Sequence, residues 1–125
     1  MPKILVVSPS QTFRRLIERA LVDAPRSVVT NASNKLEALA QTFSEHPDVV
    51  VVALESWGET VDVLEAIHQR PENQKLPLVA LRPRGGSFVE QMKSLSAGAS
   101  LYLKMPIDPA ILGAKLCKLA DPSAK

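Results

Sequence analysis

Five short aliphatic runs alternate with amphipathic segments along the whole chain, and this alternation restricts the fold more than any single residue does. The runs are Ile4 to Val7, Val28 to Thr30, Asp48 to Leu54, Pro77 to Leu81 and Ser100 to Lys104. The third holds four consecutive valines, Val49 to Val52. β-Branched side chains favour strands, and an apolar run without polar alternation needs cover on both faces, so this strand belongs in the centre of a sheet.

Between the runs, apolar residues recur every three or four positions, the spacing of one helical face. Phe13, Leu16, Ile17, Ala20 and Leu21 form the first set, and Leu36, Leu39, Ala40 and Phe43 the second. Val61, Leu64, Ala66 and Ile67 form the third, Val89, Met92 and Leu95 the fourth. Ile111, Leu112, Leu116 and Leu119, with Lys115 among them, form the last. Each stripe is expected to face the core.

Local punctuation agrees with these segments. Ser33 suits the N-cap of the second helix, and His46-Pro47 its end. Ser87 and Glu90 have capping-box spacing, Gly98 can terminate the helix that follows, and Asp108-Pro109 supplies a cap and a first-turn proline for the last helix. Strict alternation of strand and helix implies right-handed crossovers and a parallel sheet covered on both sides. The expected fold is α/β: a flavodoxin-like, doubly wound, five-stranded parallel sheet of order 2-1-3-4-5 flanked by five helices.

A chain of 125 residues suits one domain, over residues 1–120, with 121–125 a polar tail or the start of a linker. A net charge of +2, with no run of five like charges, argues against nucleic-acid binding. The longest apolar stretch, Val49 to Leu54, falls far short of the roughly 20 residues of a membrane span, and the amino terminus lacks a signal-peptide pattern. No membrane association and a cytoplasmic location are expected. Cys117 lies in an apolar helical pattern and reads as a small core residue. His46 and His68 lack ligands at metal spacing and are expected at the surface, so no metal and no cofactor is expected.

Lys3-Ile4-Leu5-Val6-Val7, Pro47-Asp48, Ala97-Gly98-Ala99 and Tyr102 to Pro106 resemble, in order and spacing, the receiver domains of bacterial two-component response regulators over about residues 3–120. An active receiver accepts a phosphoryl group on an aspartate, with oxygen ligands for Mg²⁺ and a cation for the phosphoryl oxygens. The resemblance places Ser8 and Pro9 at the acidic pair, Ala53 at the acceptor, Arg82 at the strand-four hydroxyl and Met105 at the lysine. It therefore implies a degenerate, atypical pseudo-receiver: no enzyme, no Mg²⁺ requirement, and a phosphorylation-independent signalling or protein-interaction module. Lys104 is not expected to replace the lysine, since neighbouring strand residues point to opposite faces.

Glu55 is the acidic residue expected near the pocket mouth, most simply as a solvated loop carboxylate, with a bond to Arg82 left open. The resemblance also implies that the face of helix four, strand five and helix five meets a protein partner, a fused output domain or a second copy. Tyr102, Lys104, Lys115 and Lys118 are the candidate contacts, and Tyr102 has no matching hydroxyl partner at Arg82. A second hypothesis is a sensor of a small anionic or nucleotide ligand through the Arg82–Ser87 loop, using Arg82, Arg84 and Ser87. A third, a residual phosphoacceptor at Ser8, lacks a neighbouring base. Trp57 is expected to pack over the pocket or meet a partner.

Overall fold

A computed structural model describes residues 3–21, 28–54, 56–82 and 86–120. The strands are β1 (Lys3–Val7), β2 (Val28–Ala32), β3 (Val49–Val52), β4 (Leu78–Arg82) and β5 (Leu101–Lys104). The helices are α1 (Gln11–Ala20), α2 (Lys35–Glu45), α3 (Trp57–His68), α4 (Phe88–Ser96) and α5 (Pro109–Ala120), with a 3-10 turn at Pro71–Asn73. All strand pairs are parallel and the order is β2-β1-β3-β4-β5, the expected flavodoxin-like arrangement. The expected tail at 121–125, together with Glu55, Arg84 and Gly85, lies outside the described residues.

The valine run sits where its composition demands. Val49 to Val52 lie between β1 and β4, each fully buried. Val50 and Val52 pack with Val63, Leu64 and Ile67 of α3, while Val49 and Val51 pack with Ile17 of α1 and Leu112 and Leu116 of α5. Burying a side chain of this kind is worth about 1.5–3 kcal/mol relative to exposure. Two cores therefore lie back to back across the sheet.

Helices α2 and α4 present different faces from those their periodicity predicts, and in α5 the expected stripe narrows to Leu112, Leu116 and Leu119, since Ile111 and Lys115 are exposed. In α2 the buried residues are Ala38 and Thr42, whereas Leu36 is 78% and Phe43 67% exposed. In α4 the inner face is Glu90, Ser94 and Ala97, and Phe88, Val89, Met92 and Leu95 are all exposed. Thr42 satisfies its hydroxyl on the Ala38 carbonyl at 2.6 Å, so this polar residue enters the core without an orphaned donor.

The caps are mostly as expected, with one correction. Asn34 caps α2, accepting the Glu37 N–H at 2.9 Å, while Ser33 Oγ accepts from Arg14 at 2.7 Å. Gly98 follows α4 at φ +116°, with His68 directly against it. His68 is thus half-buried beneath the α4 terminus, with Nδ1 enclosed, and His46 alone of the two histidines is exposed.

Candidate functional site

The carboxyl ends of β1, β3, β4 and β5 bring the expected pocket positions to one edge of the sheet. Ser8 follows β1, is buried, and its Oγ accepts the Ser10 N–H at 3.1 Å. Its carbonyl accepts from Arg14 Nε at 3.0 Å, so the turn into α1 is tied down at both oxygens. Pro9 is exposed and contributes no carboxylate. Ala53 follows β3, is 2% exposed, and joins the α1–α5 core through its methyl group.

These side chains do not fit a Mg²⁺ site. Hard divalent cations need several oxygen ligands, and Ser8, Pro9 and Ala53 supply one neutral hydroxyl that is already engaged. Among the described residues no group of three or more metal-ligating side chains is present. Met105 packs with Leu101 and Leu103 against the α1–α5 core, whereas Tyr102 packs against the opposite one and Lys104 is exposed. The alternation of β5 thus keeps Lys104 off the face that Met105 occupies.

Arg82 dominates the electrostatics of this edge. It ends β4, is only 8% exposed, and its Nη1 donates to the Leu54 carbonyl at 3.2 Å. Its Nε lies 3.1 Å from Glu90 Oε2, and the two side chains are 10% and 13% exposed. The Nε–H direction is poorly aligned with that oxygen, so the contact is charge pairing rather than a directed hydrogen bond. Tyr102 Oη donates to the same oxygen at 3.3 Å. Burial, and then the adjacent Glu90 charge, push the Tyr102 phenol above its ordinary range.

The three side chains come from β4, α4 and β5 and meet at one carboxylate oxygen. Tyr102 therefore does have a partner, which the presence of Arg82 at the end of β4 does not by itself reveal. In the sequence Glu90 is legible only as the closing residue of a capping box, three positions after Ser87. Half of that reading holds, since Ser87 Oγ accepts the Glu90 N–H at 3.2 Å, but the Glu90 carboxylate turns inward. Gly86, at φ +106°, lets the chain pass close to Tyr102 and Lys104, where an added Cβ would lie 2.6 Å from Tyr102 Oη and 2.7 Å from Lys104 Cδ.

The other expected groups separate. Trp57 opens α3, and Lys93 Nζ of α4 sits 5.2 Å from its ring centroid, a cation–π distance. Lys104, Lys115 and Lys118 are exposed. Ile111, Lys115 and Lys118 share the α5 flank opposite Gly113, which meets Ala20 of α1, and so flank the β5 edge. Of the expected anion-binding set, Arg82 is turned inward and Ser87 caps α4.

No protein-family model matches the chain. It is 26% identical over 118 residues to a chemotaxis protein CheY homolog of Campylobacter jejuni subsp. jejuni, covering 91% of this chain and 88% of that protein. It is 28% identical over 109 residues to protein-glutamate methylesterase/protein-glutamine glutaminase 3 of Hahella chejuensis, covering 86% of this chain but 31% of that longer protein. These relatives support the response-regulator receiver (CheY-like) family. The structure of the chemotaxis response regulator CheY4 of Vibrio cholerae superposes on this chain with a TM-score of 0.81, at 23% identity, over 95% of this chain and 98% of the other, and so shares its fold. Among the described residues, no helix of this chain is long and apolar enough to cross a membrane.

Proposed function

We propose that this chain is a pseudo-receiver: a signalling module that binds a protein partner without accepting a phosphoryl group. The observation that carries the reading is the Arg82–Glu90 pair, with Tyr102 on the same carboxylate. An active receiver gains an anion at these strand ends when its aspartate accepts a phosphoryl group. Here a resident carboxylate already neutralises the cation at the end of β4 and fixes α4 and Tyr102. Ala53 offers no oxygen nucleophile, the Ser8 hydroxyl is buried and engaged, and Met105 offers no cation, which supports the absence of enzymatic activity.

The output surface in this reading is the face of α4, β5 and α5, with Tyr102 at its inner margin and Lys104, Lys115 and Lys118 in solvent. The partner is a separate protein or a fused output domain, as the length of the Hahella relative illustrates for that protein. A cytoplasmic location accompanies this role. An anion or nucleotide sensor using Arg82, Arg84 and Ser87 would have to draw Arg82 away from both Glu90 and the Leu54 carbonyl.

Heteronuclear NMR with Mg²⁺ and beryllofluoride tests the reading. No shift at Ser8, Ala53 or Arg82 is expected at millimolar concentrations. Saturable shifts there would defeat it, and saturable shifts confined to 82–87 with a nucleotide would favour the sensor.

A further inference from the structure

A cavity of about 610 Å³ opens at the amino ends of β3 and β4, at the far end of the strands from Ala53. Its volume falls in the range of small-molecule sites, about 300–1,000 Å³. Apolar side chains supply much of the wall: Leu39 and Phe43 of α2, Leu76 and Pro77 ahead of β4, and Leu119 of α5. Such a wall suits a branched or aromatic hydrocarbon group, and the volume leaves room for a polar head beside it.

The charges of the lining are matched only in part. Arg70 and Glu72 neutralise each other at 2.9 Å. Asp48 is half-buried and accepts the Lys3 backbone N–H at 2.7 Å, but no cation pairs with its carboxylate among the described residues. Lys75 has no ion pair among them either. Val50 lies opposite Leu78 in the parallel pairing of β3 with β4, so Asp48 and Lys75 lead into adjacent strands, which run about 4.8 Å apart. Asn73 adds a buried acceptor to the same wall. It is 8% exposed, its Nδ2 donates to the Ile67 carbonyl at 3.0 Å, and no described residue donates to its Oδ1. A simple anion in this cavity would face Asp48, and a simple cation would face Lys75. A ligand carrying both charges on neighbouring atoms complements both.

We propose that this cavity binds a free α-amino acid with a branched or aromatic apolar side chain. The ligand ammonium meets the Asp48 carboxylate and Asn73 Oδ1, its carboxylate meets the Lys75 ammonium, and its side chain lies against Leu76, Pro77 and Leu119. Each part of the ligand answers a feature of the wall that the protein leaves open. The site shares no residue with Ser8, Ala53, Arg82 or Met105, so it stands independently of the pseudo-receiver reading and of the α4–β5–α5 partner face.

Heteronuclear NMR titration of the 125-residue chain with L-phenylalanine and with L-leucine, each to about 10 mM, tests the proposal. Saturable shifts at Asp48, Asn73, Lys75 and Leu76 are expected, with a Kd on the order of 0.1–1 mM for so small a ligand. The analogue 3-phenylpropanoate lacks the ammonium and 2-phenylethylamine lacks the carboxylate, and each should bind about tenfold more weakly or less. Glycine, without an apolar body, should not saturate. Asp48→Asn keeps an oxygen for the Lys3 N–H, and Lys75→Met alters an exposed residue, so both variants should keep the wild-type spectrum elsewhere. Each should weaken binding about tenfold. No saturable shift with either amino acid would overturn the proposal. So would equal affinity for either analogue, saturation by glycine, or affinity unchanged in either variant.

Discussion

The Arg82 guanidinium and the Glu90 carboxylate meet at 3.1 Å between the end of β4 and the first turn of α4, almost out of water. Removing one partner from such a pair leaves the other charge buried and uncompensated, which costs about 3–5 kcal/mol when burial is complete. The slight exposure of both groups lowers that expectation to about 2–4 kcal/mol for Arg82→Ala. Replacing both together, Arg82→Met with Glu90→Leu, should recover part of the loss, since the Glu90 carboxylate is removed together with the guanidinium it faces. Urea denaturation of the two single variants and the double variant checks this, and equal destabilisation by all three would refute a paired role.

Tyr102 makes the same carboxylate sensitive to alkali. Its folded-state phenol lies above the ordinary value near 10, chiefly through burial and then through the Glu90 charge. A group with a raised folded pKa contributes stability that is complete below the unfolded value and lost as pH rises through the folded one. Wild type should therefore lose stability above about pH 10, and Tyr102→Phe should remove that component of the decline while lysine titration remains. Melting curves at pH 8, 9, 10 and 11 for the two proteins provide the comparison.

Placing an aspartate at position 53 should not create a metal-binding or phosphate-accepting site. Ala53 is 2% exposed among aliphatic neighbours, so Ala53→Asp places a carboxylate in a site without ligands for it. The expected cost is about 2–4 kcal/mol. Millimolar Mg²⁺ should recover little of it, because Ser8 and Pro9 provide no second carboxylate. Denaturation with and without Mg²⁺ measures both terms, and a large Mg²⁺-dependent stabilisation would mean that other oxygen ligands reach this edge.

The sheet was legible because its signals are redundant. Four valines fix β3 at the centre, and the caps at Ser87 and Asp108 place two helices. The outward faces of α2 and α4 were not legible, because periodicity identifies a face and assumes that larger side chains seek the core. In α4, Ser94 and Ala97 are buried instead, and the inward Glu90 carboxylate fixes the helix rotation, leaving Met92 and Leu95 in water. That pairing joins residues from two elements. Nothing in the local pattern around Ser87 distinguishes a glutamate that bonds its own cap from one that turns toward Arg82.

Gly113 sets two opposing effects against each other. It lies inside α5, where alanine is favoured over glycine by about 1 kcal/mol on helix propensity alone. A Cβ at this position, however, would run into the Ala20 carbonyl of α1, a backbone atom that cannot rotate away. The α1–α5 contact would have to open, disturbing Leu112 and Leu116 where they meet Ile17 under the sheet. Overpacking of a close helix contact costs about 1–3 kcal/mol, and here it should exceed the propensity gain. Gly113→Ala is therefore expected to lower stability by about 1–2 kcal/mol, and Gly113→Val by more. Thermal denaturation of both variants checks the order, and an Ala variant more stable than wild type would show that α1 and α5 can separate at little cost.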